Sequence, residues 1–408
     1  MLPRATQRIL SLGPSLLNQY AARAAKVEHN LAIGQLSEPP PDEVVEAVGL
    51  ALKGPQHSRY MPAAGSLEAR EIVARTFAEV GIEATPERCI ISNGAKTLVD
   101  VALRVLLEPG DPWTGGSGDY VVWFSPGYPP FERGAHINCY QTVAVECAPP
   151  MFAPDLRSLE EWLQVATSAT RTVAVVVNNP VNPTGQVWSR KELEAVAKLV
   201  GRFGAWILAD ETYAEFDYEG RFVPFATLPG MAGCTVTVRS GSKELRVPSY
   251  RLGYATGPAE IIKAMGIITG ECVGCPSFVS AAAAACLMDR REHCREVIGE
   301  LEKRRRMVID WADRLGLPMA PPEGGFFAFI NVGPRLPEGM TTCQFADRLL
   351  GRGVGVIPGE AFAPHDRPGI LSGWLRLSYA GPESTVREGL GLIAAAISEL
   401  SGGLGLKP

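Results

Sequence analysis

The chain predicts an α/β fold: a large domain with a mostly parallel sheet flanked by helices, joined to a smaller α+β domain. Three observations lead there. At 408 residues the chain is longer than one hydrophobic core supports. Through its first two-thirds, short apolar or β-branched runs alternate with amphipathic stretches, the pattern of strand–helix–strand units. From Ser280 to Leu315 a proline-free helical pattern runs for over thirty residues, too long for an ordinary globular helix, and reads as a spine between two domains.

The elements follow in order. Ser66 to Val80 reads as a helix stopped by Gly81 and turned by Thr85-Pro86. Cys89–Ser92 is a short strand running into Asn93-Gly94, and a helix from Ala95 to Leu107 puts Leu98, Val101, Ala102 and Val105 on one face. A glycine-rich bulge at Trp113–Gly118, with the composition of a flexible loop, precedes the strand Tyr120–Phe124. Thr172–Val177, Trp206–Ala209 and Thr235–Val238 are runs of the kind buried in parallel sheets. Between the first two, Ser189-Arg190-Lys191-Glu192 is a capping box that opens a helix to about Val200. Beyond the spine, strands at Phe326–Val332, Val354–Ile357 and Trp374–Tyr379 alternate with helices at Thr342–Leu350 and Glu383–Leu400. The expected division is residues 1–55 completing the small domain, 56–290 as the large ligand-binding domain and 291–408 as the small C-terminal domain.

Composition narrows the function. The chain is 46% hydrophobic and 20% charged, the balance of a globular protein. Its net charge of −5 and the lack of a Lys/Arg run argue against nucleic acid as a partner. No stretch of ~18 apolar residues without charge suggests a membrane span. Nine cysteines in so long a chain fit a reduced, cytoplasmic protein, and Cys272-x-x-Cys275 has no second pair with which to build a zinc site, so no metal is expected. Arg4, Arg8, Arg23 and Lys26 precede the first acid, Glu28, a faint transit-peptide pattern. A surface helix with Ile9, Leu10, Leu12, Leu16 and Leu17 as its apolar stripe is the preferred reading.

Five short segments carry chemistry, and they fall in order at the ends of predicted strands, where open α/β sheets bind ligands. Ser240-Gly241-Ser242-Lys243 follows a strand in a tight glycine turn. A lysine there becomes a nucleophile only if desolvated or set beside a cation, and Arg251 is the expected neighbour. The two serines and Arg251 also offer donors to a phosphate. Asp210 ends another strand, with Tyr213 three residues on; a carboxylate there can pair with a protonated ring nitrogen and the hydroxyl can reach a ring oxygen. Asn179-Pro180-Val181-Asn182-Pro183-Thr184-Gly185 is a rigid turn that presents an asparagine amide. Ser92-Asn93-Gly94-Ala95-Lys96 opens a helix whose first N–H groups form an anion site. Arg376 lies among Trp374, Leu375, Leu377 and Tyr379, where a buried guanidinium must meet an anion: a substrate carboxylate, or an internal salt bridge.

These segments resemble the class I/II aminotransferases, the fold-type I enzymes dependent on pyridoxal 5′-phosphate (PLP), from about Ala32 to Leu400. The resemblance rests on Tyr60-x-x-x-x-Gly65-x-x-x-x-Arg70, Gly94-Ala95-Lys96, Pro126-Gly-Tyr128-Pro129, Asn182-Pro-Thr-Gly185, Asp210-x-x-Tyr213, Ser240-x-Ser-Lys243 with Arg251, and Arg376. It implies transfer of the amino group of an L-amino acid to a 2-oxo acid through a Schiff base on Lys243. Asp210 would pair with the pyridine nitrogen, Asn182 and Tyr213 would hold the phenolic oxygen, and Tyr128 would stack on the ring. Ser240, Ser242, Arg251 and the amides at Gly94, Ala95 and Lys96 would hold the phosphate. Arg376 would bind the substrate carboxylate, with Asn182 and Gly34 beside it. Tyr60 would reach the phosphate of a neighbouring subunit, which implies a homodimer with shared active sites. A β- or γ-eliminating lyase on the same fold would use the same residues and is the alternative. Ser249 stands where the family usually has glycine, and Ile267–Cys275 lacks the arginine of aspartate-specific members and carries Glu271 instead.

Overall fold

The computed structural model describes residues 7–110 and 117–402. A seven-stranded sheet forms the large domain, in the order Cys89–Asn93, Leu252–Thr256, Thr235–Ser240, Trp206–Asp210, Val173–Asn178, Tyr120–Ser125, Gln141–Glu146. The pairings from Thr235–Ser240 to Gln141–Glu146 are all parallel. Leu252–Thr256 runs antiparallel to both its neighbours.

Helices cover both faces, which is why the central strands are unbroken apolar runs; every residue of Val173–Asn178 is buried. On one face the helix Ala95–Leu106 lays Leu98, Val101 and Ala102 against Val121, Ala174 and Val236. Complete burial of Leu98 contributes roughly 2 kcal/mol. On the other, the helix Arg190–Phe203 packs Leu193 and Val196 into the core with Val175 and Ile207. Its predicted capping box forms, with Ser189 Oγ accepting from Glu192 N at 3.3 Å and the Glu192 carboxylate accepting from Ser189 N at 2.7 Å.

The smaller unit holds a three-stranded antiparallel sheet, Ile357–Pro358, Trp374–Ser378 and Phe327–Asn331, and a two-stranded parallel one, His29–Asn30 with Val354–Gly355. The expected strand Val354–Ile357 is therefore divided between two sheets. The N-terminal segment joins this unit: the helix Leu16–Ala24 is tied to it by Tyr20 Oη, which donates to Asp347 Oδ1 at 2.9 Å.

Two further expectations change. The spine from Ser280 to Leu315 is not one helix. Phe278–Ala284 passes through a 3-10 segment, Ala285–Asp289, before Arg290–Arg314 begins. The break sits where the buried Arg290 turns its guanidinium onto Leu287 O and Thr76 O. What remains still bridges the units, for Trp311 Nε1 near its far end donates to Leu390 O at 3.0 Å. The N-terminal stripe is likewise broken, at Gly13-Pro14, into Gln7–Leu12 and Leu16–Ala24, and Ile9 and Leu10 are exposed. Of the loop Trp113–Gly118, positions 113–116 lie outside the described residues. No described helix is long and apolar enough to cross a membrane.

Candidate active site

The carboxyl ends of the parallel strands open onto a cavity of about 310 Å³. Its walls come from the sheet, from the helix Leu16–Ala24 and from Phe327 and Arg376 of the three-stranded sheet.

Asp210 is the last residue of its strand, in register with Asn178. Its Oδ1 accepts from Thr212 N at 3.1 Å. Burial raises its pKa, against the opposing pull of Thr212 and Lys243. A buried carboxylate in that position is stabilised by any cation placed in the cavity.

Lys243 follows the strand Thr235–Ser240, but in one short helical turn, Gly241–Glu244, rather than the predicted glycine turn. Ser240 Oγ caps it by accepting from Ser242 N at 3.3 Å. Lys243 Nζ donates to Gly34 O and stands 5.9 Å from the centre of the Phe326 ring. Burial lowers its pKa to about 8, helped by Arg376 and then Arg251 and opposed by Asp210. Arg376 thus outweighs the cationic neighbour expected from sequence. Gly34 is required for this contact: a Cβ there would lie 2.4 Å from Phe327 Cζ.

Arg376 is 3% exposed. Its Nη1 donates to Asn182 Oδ1 at 3.0 Å and its Nη2 to Ala32 O, while Nε has no partner. The guanidinium carbon lies 4.3 Å and 5.0 Å from the ring centres of Phe327 and Phe362. Desolvation lowers its pKa to about 10. No carboxylate among the described residues pairs with it, so the internal salt bridge does not form.

Asn182 is held by its own N–H, which donates to Asn178 Oδ1 at 2.9 Å, and Asn178 Nδ2 donates to Asp210 O at 3.1 Å. Tyr213 is buried edge-on to Phe326 and Phe327, at 5.2 and 5.6 Å, and burial raises its pKa. Tyr128 lines the cavity too, its pKa also raised by burial.

In the same cavity, the helix Ala95–Leu106 begins with no side-chain cap, so its first N–H groups at Ala95 and Lys96 are open to an anion. Gly94 has φ 97°, and a Cβ there would strike Arg251 Nη2 at 2.3 Å. Arg251 is exposed and bonds only main-chain oxygens, those of Pro248 at 3.0 Å and Asn93 at 3.4 Å. With Ser240 and Ser242 lining the same end, this is a cradle shaped for a phosphate.

Twelve of the predicted site residues therefore share one cavity: Gly34, Ala95, Lys96, Tyr128, Asn182, Asp210, Tyr213, Ser240, Ser242, Lys243, Arg251 and Arg376. Gly94 lies immediately behind them. Tyr60 does not join; its side chain is 99% exposed. Sequence reasoning missed Asn178, Phe327, and Leu17, Asn18 and Ala21 of the N-terminal helix. The helix could have been suspected from the break Gly13-Pro14-Ser15; nothing in the sequence signalled Phe327. Cys272 is exposed, and no cluster among the described residues could hold a metal ion.

The arrangement unites a depressed-pKa lysine, a buried acid, a phosphate cradle and an arginine without an anion, which fits PLP with an amino-acid substrate. Known proteins agree. Residues 27–393 match the family model "Aminotransferase class I and II". The aspartate/prephenate aminotransferase of Thermus thermophilus is 31% identical over 94% of this chain and 96% of its own. The arginine–pyruvate transaminase of Pseudomonas aeruginosa is 30% identical over 97% of this chain and 98% of its own. The solved structure of the Thermus thermophilus aspartate aminotransferase with maleate superposes with a TM-score of 0.85, at 29% identity, over 97% of this chain and 100% of that one. The chain belongs to the class I and II aminotransferases, and is a PLP-dependent enzyme that moves amino groups between amino acids and 2-oxo acids.

Proposed function

We propose that Lys243 carries the cofactor and shuttles the proton of the reaction, while Arg376 selects substrates by their α-carboxylate. The carrying observation is Arg376, buried, without a carboxylate, and in the same cavity as Lys243. When bound, PLP supplies the electron sink that stabilises negative charge at the substrate Cα. Asp210 is placed to keep a pyridinium charged, and its buried carboxyl gains a counter-ion in return. Asn182, oriented by Asn178, and Tyr213 present donors to a ring oxygen; Tyr128 covers a ring face. Gly94, Ala95, Lys96, Ser240, Ser242 and Arg251 hold the phosphate. Lys243 Nζ, with its pKa near 8, gives up and takes back a proton close to neutral pH. Gly34 and Asn182 border the carboxylate site.

We further infer a homodimer with shared active sites. Tyr60 is 99% exposed, and Leu50, Leu52 and Ile267 are each more than half exposed, apolar side chains that a second copy would cover. Residues 1–55 and 291–408 are read as the small domain and 56–290 as the large one, the boundary falling at the start of the helix Arg290–Arg314. Nine free cysteines support a cytoplasmic location.

The relatives' names span aspartate, prephenate, arginine and aromatic substrates, so the donor is a matter for direct measurement. Visible absorbance of the purified enzyme is recorded with single amino acids and no acceptor. Bleaching by one amino acid, reversed by a 2-oxo acid, identifies the donor. Ammonia release with the absorbance unchanged would replace transamination by elimination.

A further inference from the structure

Behind the strand ends that carry Asp210 and Lys243 lies a second cluster facing away from the cavity. The residue after each is a buried glutamate: Glu211 is 2% exposed and Glu244 0%. Arg239 Nε and Nη2 donate to Glu211 Oε2 at 3.2 and 2.9 Å, and its Nη1 donates to Glu215 Oε1 at 3.2 Å. Arg290 Nε donates to the same Glu215 oxygen at 3.0 Å and its Nη1 to Glu79 Oε2 at 2.8 Å. Arg291 approaches Glu215 Oε2 at 3.5 Å. Arg239, Arg290 and Arg291 thus face Glu79, Glu211 and Glu215, and these charges balance.

Glu244 is the fourth acid and has no arginine of its own. Its Oε2 lies 2.5 Å from Tyr254 Oη, and its Oε1 has no hydrogen-bond partner. Charge balance therefore favours a neutral Glu244. Burial pushes its pKa up to about 7 and Glu215 adds to the rise, while Arg239, Arg290 and the hydrogen bond donated by Tyr254 pull the other way. The other titratable groups facing it stay protonated through neutral pH, since burial raises both the Tyr254 hydroxyl and the Cys294 thiol well above their ordinary values.

Glu244 shares a four-residue helix with Lys243. So short a helix has little stability of its own and depends on its anchors. Those anchors are the Ser240 cap, Cys294 Sγ against Glu244 O at 3.5 Å, and the Tyr254 bond. Tyr254 is itself fixed, in register with Arg239 and packed 5.4 Å from the Phe77 ring. Ionised, Glu244 would add an unbalanced buried charge facing Glu215. The cheapest relief is for the turn to shift toward water, and Lys243 shifts with it.

We propose that Glu244 is a positioning residue for Lys243: as a neutral acid bonded to Tyr254 it holds the turn that aims the lysine into the cavity, and its ionisation relaxes that hold. This rests on the role assigned to Lys243 above.

The test uses apoproteins of the wild type, Glu244→Gln, Tyr254→Phe and Lys243→Ala. The rate at which each captures PLP is followed by visible absorbance from about pH 6 to about pH 8.5, and melting temperature is recorded from about pH 4 to about pH 8. Capture by the wild type rises with pH as Lys243 loses its proton, and ionisation of Glu244 opposes that rise. The Glu244→Gln to wild-type ratio should start near one at low pH and reach about threefold or more at high pH, as displacement of a reacting group does. Melting supplies the second reading. The folded pKa of Glu244 lies above its ordinary value, so its stabilisation is complete below about 4.5 and is lost as pH rises through about 7. The wild type should therefore lose melting temperature relative to Glu244→Gln across that window. Parallel capture profiles for these two proteins would overturn the proposal. If Glu244→Gln does not fold, Tyr254→Phe decides, because a capture profile identical to wild type overturns it equally. Lys243→Ala separates the two levels: the wild-type absorbance band in that variant would sink the reading of Lys243 itself.

Discussion

Arg239 and Arg376 are both arginines buried within strands, yet they occupy opposite electrostatic situations. Arg239 meets Glu211 and Glu215 and lies in a cluster whose charges balance internally. Arg376 meets an amide oxygen, a main-chain oxygen and two aromatic faces, and its Nε is left over. The first guanidinium is complete as the chain folds. The second has no counter-ion among the described residues. Burial alone therefore does not identify a functional charge; burial without a counter-ion does.

Four measurements break or sharpen that contrast. The largest effect is expected on the cavity side, where Lys243→Ala should lower turnover about a thousandfold or more, as loss of a positioned proton-transfer group does. Steady-state kinetics check it, and activity above a tenth of wild type would remove Lys243 from the reaction. Arg376→Ala should next cost about 2–5 kcal/mol in kcat/KM with little loss of melting temperature. Arg239→Ala should do the reverse: denaturant titration should show a loss of about 3–5 kcal/mol, from leaving Glu211 buried without its partner. If the two variants fail in the same way, the distinction between the arginines is wrong. The smallest effect is a pH dependence. The folded pKa of Lys243, about 8, lies below its ordinary 10.5, so between those values the unfolded chain binds more protons and stability rises with pH. Melting of the apoprotein should show that rise, and Lys243→Met should lack it.

Legibility in the sequence followed burial pattern. Val173–Asn178 and Thr235–Ser240 are apolar or β-branched for most of their length because helices cover both faces, and such runs announce themselves. Gln141–Glu146 escaped notice because it lies at the edge of the sheet and exposes both its end residues. Leu252–Thr256 escaped because it is short, begins Leu-Gly, and pairs antiparallel inside a parallel sheet. Candidate site residues were readable where a polar group stands among apolar ones, as Asp210 does at a strand end and Arg376 within a strand. Leu17, Ala21 and Phe327 were not, because an apolar residue that lines a cavity has the same sequence signature as one that fills a core. Glu244 went unremarked for a related reason: its meaning depends on Tyr254 across the sheet and on Arg290 at the head of a distant helix.

The bonds that close the cavity span most of the polypeptide. Arg376 reaches back across 344 residues to Ala32 and across 194 to Asn182, while Lys243 reaches across 209 to Gly34. Closing loops of that length carries a large entropic cost, recovered only when both ends are present. During synthesis, then, a chain that has emerged only as far as Leu252–Thr256 already contains Asp210 and Lys243, but not the strand Trp374–Ser378. Arg376 is among the last parts to arrive, so a chain truncated before Trp374 keeps the lysine proposed to carry the cofactor and lacks the arginine proposed to bind the substrate.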